Sequence, residues 1–348
     1  MKNKKLNLII LFIAMALALY FSLKDNFKEV LEELRKVNVI IFLIAIFILL
    51  LSLLFKSVSL KIFINEYKED YKLKKAYQLT LIGQFLNGIT PFQSGGQPFQ
   101  IYLLKKDGVR ISDSTNAMIK DFIAFQTALI LIGILALLIN FKLNLFSKNV
   151  YLNSLIFLGF LINFIVMVVL LLISTAKKTG LKIANRFVDF LFKFKITKKF
   201  GTTKENIKES LKHFYKTGGE LKKQKTIMIL PIIYNIVHLL LLYMIPFIIF
   251  KSLGLNDIEV IKTIVLVAFV MLIGNFIPIP GATGGIEYSF LQFFGIFTTG
   301  AILTGGMLLW RFVTYFLPMI IGFIALIFKK GEHKNENRVI YWYLSSIY

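Results

Sequence analysis

Pro91-Phe92-Gln93-Ser94-Gly95-Gly96 and, far downstream, Pro280-Gly281-Ala282-Thr283-Gly284-Gly285 share the pattern Pro-x-x-[Ser/Thr]-Gly-Gly, and an asparagine precedes each, Asn87 in one case and Asn275 in the other. Proline removes a backbone donor and breaks a helix, while paired glycines permit turns and close backbone approach. Each motif interrupts an apolar stretch, 76–104 and 260–297. In hydrocarbon, irregular backbone persists only where it is buried in protein or lines a wet cavity. Two such breaks in matching positions of two halves point to the midplane site of a secondary transporter. The plainer alternative is a pair of Pro-Gly loops joining short helices at the membrane surface.

The surroundings of the motifs are those of a membrane protein. Of 348 residues, 57% are hydrophobic and 15% aromatic, and the mean hydropathy is +0.72, well outside soluble composition. A bilayer core of about 30 Å takes roughly 20 apolar residues as a helix. Residues 6–23, 38–58, 115–140, 152–174, 226–250 and 300–328 qualify. The first could instead be a signal peptide, because Lys2, Lys4 and Lys5 precede an apolar run containing Ala16-Leu17-Ala18. That run continues through Tyr20, Phe21 and Leu23, which favours a span. The absence of cysteine excludes disulfides, thiolate metal sites, thiol nucleophiles and iron–sulfur clusters, and three histidines leave little for zinc. No catalytic residue, metal site or cofactor is expected.

Charge sets the orientation. There are 41 Lys and Arg against 19 Asp and Glu, a net +22. In a soluble protein that excess would suggest nucleic acid; here it reads as cytoplasmic loops, and no nucleic-acid partner is expected. If both broken stretches are hairpins returning to the face they entered, 30 basic residues fall on one side and eight on the other. Counting either stretch as a full crossing spoils this asymmetry, so both termini are expected in the cytoplasm. Residues 176–225 form a basic connector in which Ile183, Phe187, Phe190, Leu191 and Phe194 recur at near-helical spacing, fitting either a helix on an anionic leaflet or a solvated link. No Gly-x-Gly-x-x-Gly or P-loop pattern occurs.

The fold expected is all-α: a polytopic integral membrane protein of two inverted repeats, each holding a Pro/Gly-broken re-entrant hairpin. Membrane unit 1 covers 1–175, the connector 176–225, membrane unit 2 226–330 and a short cytoplasmic tail 331–348. The first hairpin enters from the cytoplasm and the second from outside, so the units have opposite orientation.

The residues Leu86-Asn87-Gly88-Ile89-Thr90-Pro91 with Gly95-Gly96, then Ile277 through Glu287, then Leu308-Leu309-Trp310-Arg311-Phe312 with Tyr315 and Pro318-Met319-Ile320-Ile321-Gly322, carry a resemblance. The chain resembles the membrane region of MprF-type lysyl-phosphatidylglycerol synthase/flippases and their stand-alone relatives, roughly from Leu6 to Lys330. The resemblance implies a lipid-handling protein of a bacterial plasma membrane, moving lysyl-phosphatidylglycerol, other phospholipids or polyisoprenoid lipids between leaflets. There are departures: relatives often carry Glu-Arg where this chain has Lys120-Asp121, and Pro-Gly-Gly where it has Pro91-Phe92-Gln93. Only 20 residues follow Phe328, so no aminoacyl-tRNA-dependent transferase domain is expected in this sequence. The alternatives are phosphatidylglycerol lysyltransferase activity, as the family name implies, or an accessory subunit docking a separate soluble synthase. A homo-oligomer is also compatible with the sequence.

Ionisable groups at membrane depth are costly and usually face a partner or a cavity. Arg311 falls near the middle of the last span; its expected partner is Glu287, or else a lipid phosphate suited to its forked donors. Glu287 itself is also placed as a first-turn acid favoured by the helix dipole. His238 shares a helical face with Asn235 and Tyr234, reading either as hydrogen-bonded structure or as a proton relay. Asp121 is a candidate partner for a cationic head group. The first hairpin is rich in amides, Gln84, Asn87, Gln93, Gln97 and Gln100 with Ser94, which suit head groups and buried helix contacts equally. The expected binding set is Asn87, Pro91, Ser94, Gly95, Gly96, Asp121, His238, Asn275, Pro280, Gly281, Gly284, Gly285, Glu287 and Arg311.

Overall fold

Residues 27–90, 93–143, 145, 150–175, 225–275, 277 and 279–332 are described by a computed structural model. The expected span at 6–23, the motif residues Pro91 and Phe92, the stretch 181–194 and nearly all of the connector and tail lie outside the described residues.

Long apolar runs without a polar face favour helices apolar all round, which suits lipid on one side and protein on the other. The helices are α1 (Phe27–Arg35), α2 (Val39–Asn65), α3 (Leu73–Ile89), α4 (Gly96–Lys106), α5 (Ile111–Leu143) and α6 (Val150–Thr175), then α7 (Lys225–Tyr243), α8 (Ile245–Ser252), α9 (Val260–Gly274), α10 (Gly285–Phe294), α11 (Gly300–Arg311) and α12 (Leu317–Glu332). Among the described residues five segments are long and apolar enough to cross a bilayer: Val39–Asn65, Ile111–Leu143, Tyr151–Val168, Thr226–Ser252 and Gly300–Lys329. The chain is an all-helical, multi-pass membrane protein.

Local chemistry sets the helix ends. Asn38 caps α2, its Oδ1 accepting from the amides of Ile40 at 3.1 Å and Ile41 at 3.2 Å. Pro246 in the first turn of α8 needs no donor there, so the expected span 226–250 jogs at Met244 between two helices. The expected span 300–328 is also not one regular helix: a π-turn at Phe312–Phe316 separates α11 from α12. The helix expected at 38–58 runs on to Asn65.

Both broken stretches are helix–break–helix pairs whose arms lie against each other. In the first, Gln100 of α4 donates to the Leu79 carbonyl of α3 at 3.0 Å. In the second, the rings of Phe269 (α9) and Phe293 (α10) meet at 6.0 Å. The packing between halves is reciprocal. The first pair lies against the last helix of the second half (α3 on α12), the second pair lies against α5 of the first half (α9 on α5), and α2 packs on α7. At the α3–α12 crossing, a Cβ on Gly322 would stand 2.1 Å from the Leu81 carbonyl oxygen, so only glycine allows that approach. The core continues through a stack of Phe250, Phe290, Phe294 and Trp310, with Phe290–Phe294 centroids 4.0 Å apart and Phe290–Trp310 4.6 Å apart, binding α8, α10 and α11 together.

Candidate functional site

The two breaks solve the same problem with related backbone. Gln93 and Ala282, third in their motifs, have φ of 52° and 51°, and among the described residues the one other non-glycine at positive φ is Asp70. In the first break Thr90 Oγ1 donates to the Leu86 carbonyl (2.8 Å) and accepts from the Gly95 amide (2.9 Å), while Asn87 Oδ1 accepts from the Gly96 amide at 2.8 Å and so starts α4. In the second, Thr283 Oγ1 donates to the Pro280 carbonyl at 2.9 Å and the Gly284 amide donates to Glu287 Oε2 at 2.7 Å.

The last span joins the two. Arg311 is 5% exposed; its Nε stands 2.7 Å from Glu287 Oε1, its Nη2 donates to the Gly281 carbonyl at 3.0 Å, and its guanidinium lies 4.3 Å above the Tyr315 ring. Glu287 thus fills both expected roles, one oxygen on Arg311 and the other on the amide that opens α10. Tyr315, in the π-turn, donates to the Gly88 carbonyl of the first break at 2.8 Å. Its ring fills the space where Gly281, at φ 64°, would carry a Cβ, 2.3 Å away.

Between the breaks lies a cavity of about 470 Å³ bordered by α2, α3, α4, α5, α6, α7 and α9 and by the π-turn. Asn87, Asp121, His238, Asn275, Gly281 and Arg311 of the expected set border it. Ser94, Gly95, Gly96, Pro280, Gly284, Gly285 and Glu287 shape the breaks behind its wall. Pro91 lies outside the described residues.

One wall carries a closed polar ring. Lys56 Nζ donates to Asp121 Oδ2 (2.7 Å) and Asn235 Oδ1 (3.1 Å), Ser59 donates to Asp121 Oδ1 (3.0 Å), and Asn235 Nδ2 donates to Ser59 (2.8 Å). Asp121, a candidate for a cationic head group, therefore holds a lysine of the protein. Its sequence neighbour points elsewhere: Lys120 pairs with Glu66 at 2.5 Å. His238 Nδ1 lies 2.7 Å from Ser52 Oγ and 3.0 Å from the Ser52 carbonyl, a bond between α7 and α2. Lys56 was not singled out from sequence, although it is one of three basic residues, with Lys120 and Arg311, left inside spans once the loops are counted. Gln126 and Asn163 were missed too; Asn163 accepts from Gln126 (3.2 Å) and Asn275 (3.3 Å) and donates to the Leu272 carbonyl (3.0 Å), tying α5, α6 and the end of α9. Among the described residues no group of three or more His, Asp or Glu could hold a metal ion.

A second polar cluster lies at the α4–α5 turn, outside the spans. Tyr71 donates to Asp107 Oδ2 at 2.6 Å and Lys329 pairs with it at 3.1 Å. Burial alone would raise the Asp107 carboxyl, but the Tyr71 hydrogen bond and the charges of Lys329 and Lys75 outweigh it and hold the group below the usual carboxylate range. Burial, then Asp107, push the Tyr71 hydroxyl up, so it remains a donor.

Over residues 7–322 the sequence matches the family model described as the lysylphosphatidylglycerol synthase TM region. It is also similar to UPF0104 membrane protein MJ1595 of Methanocaldococcus jannaschii, 26% identical over 275 residues that cover 74% of this chain and 76% of the relative. The chain belongs to the lysylphosphatidylglycerol synthase TM-region family.

Proposed function

We propose that this protein is a lipid translocase: the cavity between its two broken helix pairs receives the polar head group of a membrane lipid and passes it between leaflets while the acyl chains stay in hydrocarbon. The observation that carries this reading is the cavity itself, about 470 Å³ with charged and amide side chains, bordered by both Pro/Gly breaks of a membrane protein. Polar groups at membrane depth are expensive unless they serve a path or a site. The matching positive φ of Gln93 and Ala282 and the reciprocal packing of α3 on α12 and α9 on α5 support two inverted units, with the breaks as re-entrant hairpins. Asn87, Asp121, His238, Asn275, Gly281 and Arg311 are the binding wall in this reading, and the remaining motif residues position it. The lysine and arginine count supports cytoplasmic termini in a cell membrane. The family description names a lysylated phosphatidylglycerol, which makes phospholipids the first class to test.

The test is leaflet exchange of fluorescent lipids in liposomes holding the purified protein. Wild type is expected to exchange at least one lipid faster than protein-free vesicles, with Arg311→Ala and Glu287→Ala slowed. Exchange no faster than in empty vesicles for every lipid contradicts the reading.

A further inference from the structure

We infer that the head group this chamber takes is neutral and polyhydroxylated, a sugar carried on a lipid, in preference to a phosphate or an ammonium; the inference rests on the chamber's being a head-group site. The ions facing it are already used. Lys56 holds Asp121 and Asn235 and lies 5.0 Å over the Phe125 ring, while both Asp121 oxygens are occupied, by Lys56 and Ser59. Arg311 is held by Glu287, the Gly281 carbonyl and the face of Tyr315. Each cation facing the chamber already has its carboxylate, so a phosphate meets a neutralised pair and gains a full counter-charge only by drawing Lys56 from Asp121 or Arg311 from Glu287; an ammonium meets the same pairs from the other side. In a site of low dielectric either exchange is unfavourable.

The open hydrogen-bonding capacity belongs to amides. Among the described residues the carboxamides of Gln84, Gln93 and Gln97, all bordering the chamber, bond to no protein group, and Gln100 uses its Nε2 on the Leu79 carbonyl. Gln97 and Gln100, three residues apart in α4, lie on one helical face, and Gln93 borders the same chamber from the break. Gln84 faces them from α3. A carboxamide offers two donors and an acceptor. A phosphate uses the donors and leaves the amide oxygen against an anion, whereas an ammonium uses the oxygen and leaves the NH2 against a cation. Adjacent hydroxyls both donate and accept, so a sugar satisfies the whole stripe. Phe122 and Phe125 border the same chamber and add apolar surface beside the amides, and about 470 Å³ is within the range of ligand-sized pockets.

The experiment compares three fluorescent lipids in phosphatidylcholine liposomes holding the full chain: a glucosyl-diacylglycerol, phosphatidylglycerol and lysyl-phosphatidylglycerol. The sugar lipid is expected to exchange about tenfold faster than either charged lipid, the selectivity that about 1.4 kcal/mol confers. Gln84→Leu and Gln97→Leu, each still eluting as a single symmetric peak, are expected to remove that advantage. Equal or faster exchange of a charged lipid overturns the inference and leaves the translocase reading standing. If nothing exchanges, the translocase reading falls, and native mass spectrometry of the detergent-solubilised protein with the same three lipids decides the inference. Preferential retention of the sugar lipid upholds it, and preferential or equal retention of a charged one overturns it.

Discussion

Arg311 concentrates the energetics of the site in one side chain. Its pairing with Glu287 at 2.7 Å is nearly shielded, the two side chains being 7% and 13% exposed. Removing one member of such a pair strands the other, a loss of about 3–5 kcal/mol. Arg311→Ala and Glu287→Ala are each expected to lower stability by that order in detergent unfolding, and the double variant by less than their sum. Additive losses in that cycle would mean the pair is not coupled. Tyr315→Phe keeps the ring under Gly281 but loses the donor to Gly88, worth about 1 kcal/mol. Gly281→Ala should be worse, because it adds a φ of 64° that alanine resists and a Cβ inside the Tyr315 ring. The midpoint of thermal unfolding orders the two variants, and a Gly281→Ala protein as stable as wild type would contradict the geometry. The Glu287–Arg311 pair was legible in the sequence because an unpaired charge at mid-span is costly wherever it lies. Lys56 was not. A lysine near the end of an apolar run reads as one that reaches the interface, and it becomes interior only because α2 extends to Asn65.

The elements that set the site apart are the breaks, and these were readable because proline and paired glycine act locally. The π-turn went unread although Pro318, four residues after Thr314, leaves the Thr314 carbonyl without its helical donor; the turn Phe312–Phe316 carries Tyr315 and follows directly on Arg311. The amide stripe was visible as composition, yet its role could not be separated from helix–helix contact until Gln100 was found bonded and Gln84, Gln93 and Gln97 open. At the end of α4 away from the first break, the α4–α5 turn is fastened to α12 by Asp107. Its carboxyl sits below the ordinary value, so its contribution is whole above the unfolded pKa of about 3.9 and is lost as pH falls through the lower folded value. The stability gap between wild type and Asp107→Asn should therefore be constant from about pH 7 to pH 5 and close below about pH 4. A gap that persists unchanged at pH 3 would exclude the charged pairing as its source.

For the whole molecule, the reciprocal contacts describe two halves clasped around one chamber, each broken pair lying on a helix of the other half. The proposed orientation rests on the lysine and arginine count, and a chain without cysteine lets single introduced thiols report sidedness directly. Glu69→Cys, at the exposed α2–α3 turn, is expected to react only with permeant reagents in intact cells, while Asp257→Cys, exposed between α8 and α9, reacts with impermeant ones. The reverse pattern would invert the topology and leave the chamber intact. The translocase claim is tested most directly by leaflet exchange in proteoliposomes, comparing wild type with a plugged chamber. Gln97→Trp, confirmed as a single symmetric species, is predicted to reduce exchange to the rate of protein-free vesicles, with wild type well above it. Equal exchange by the plugged and open proteins would show that lipid does not pass through this chamber.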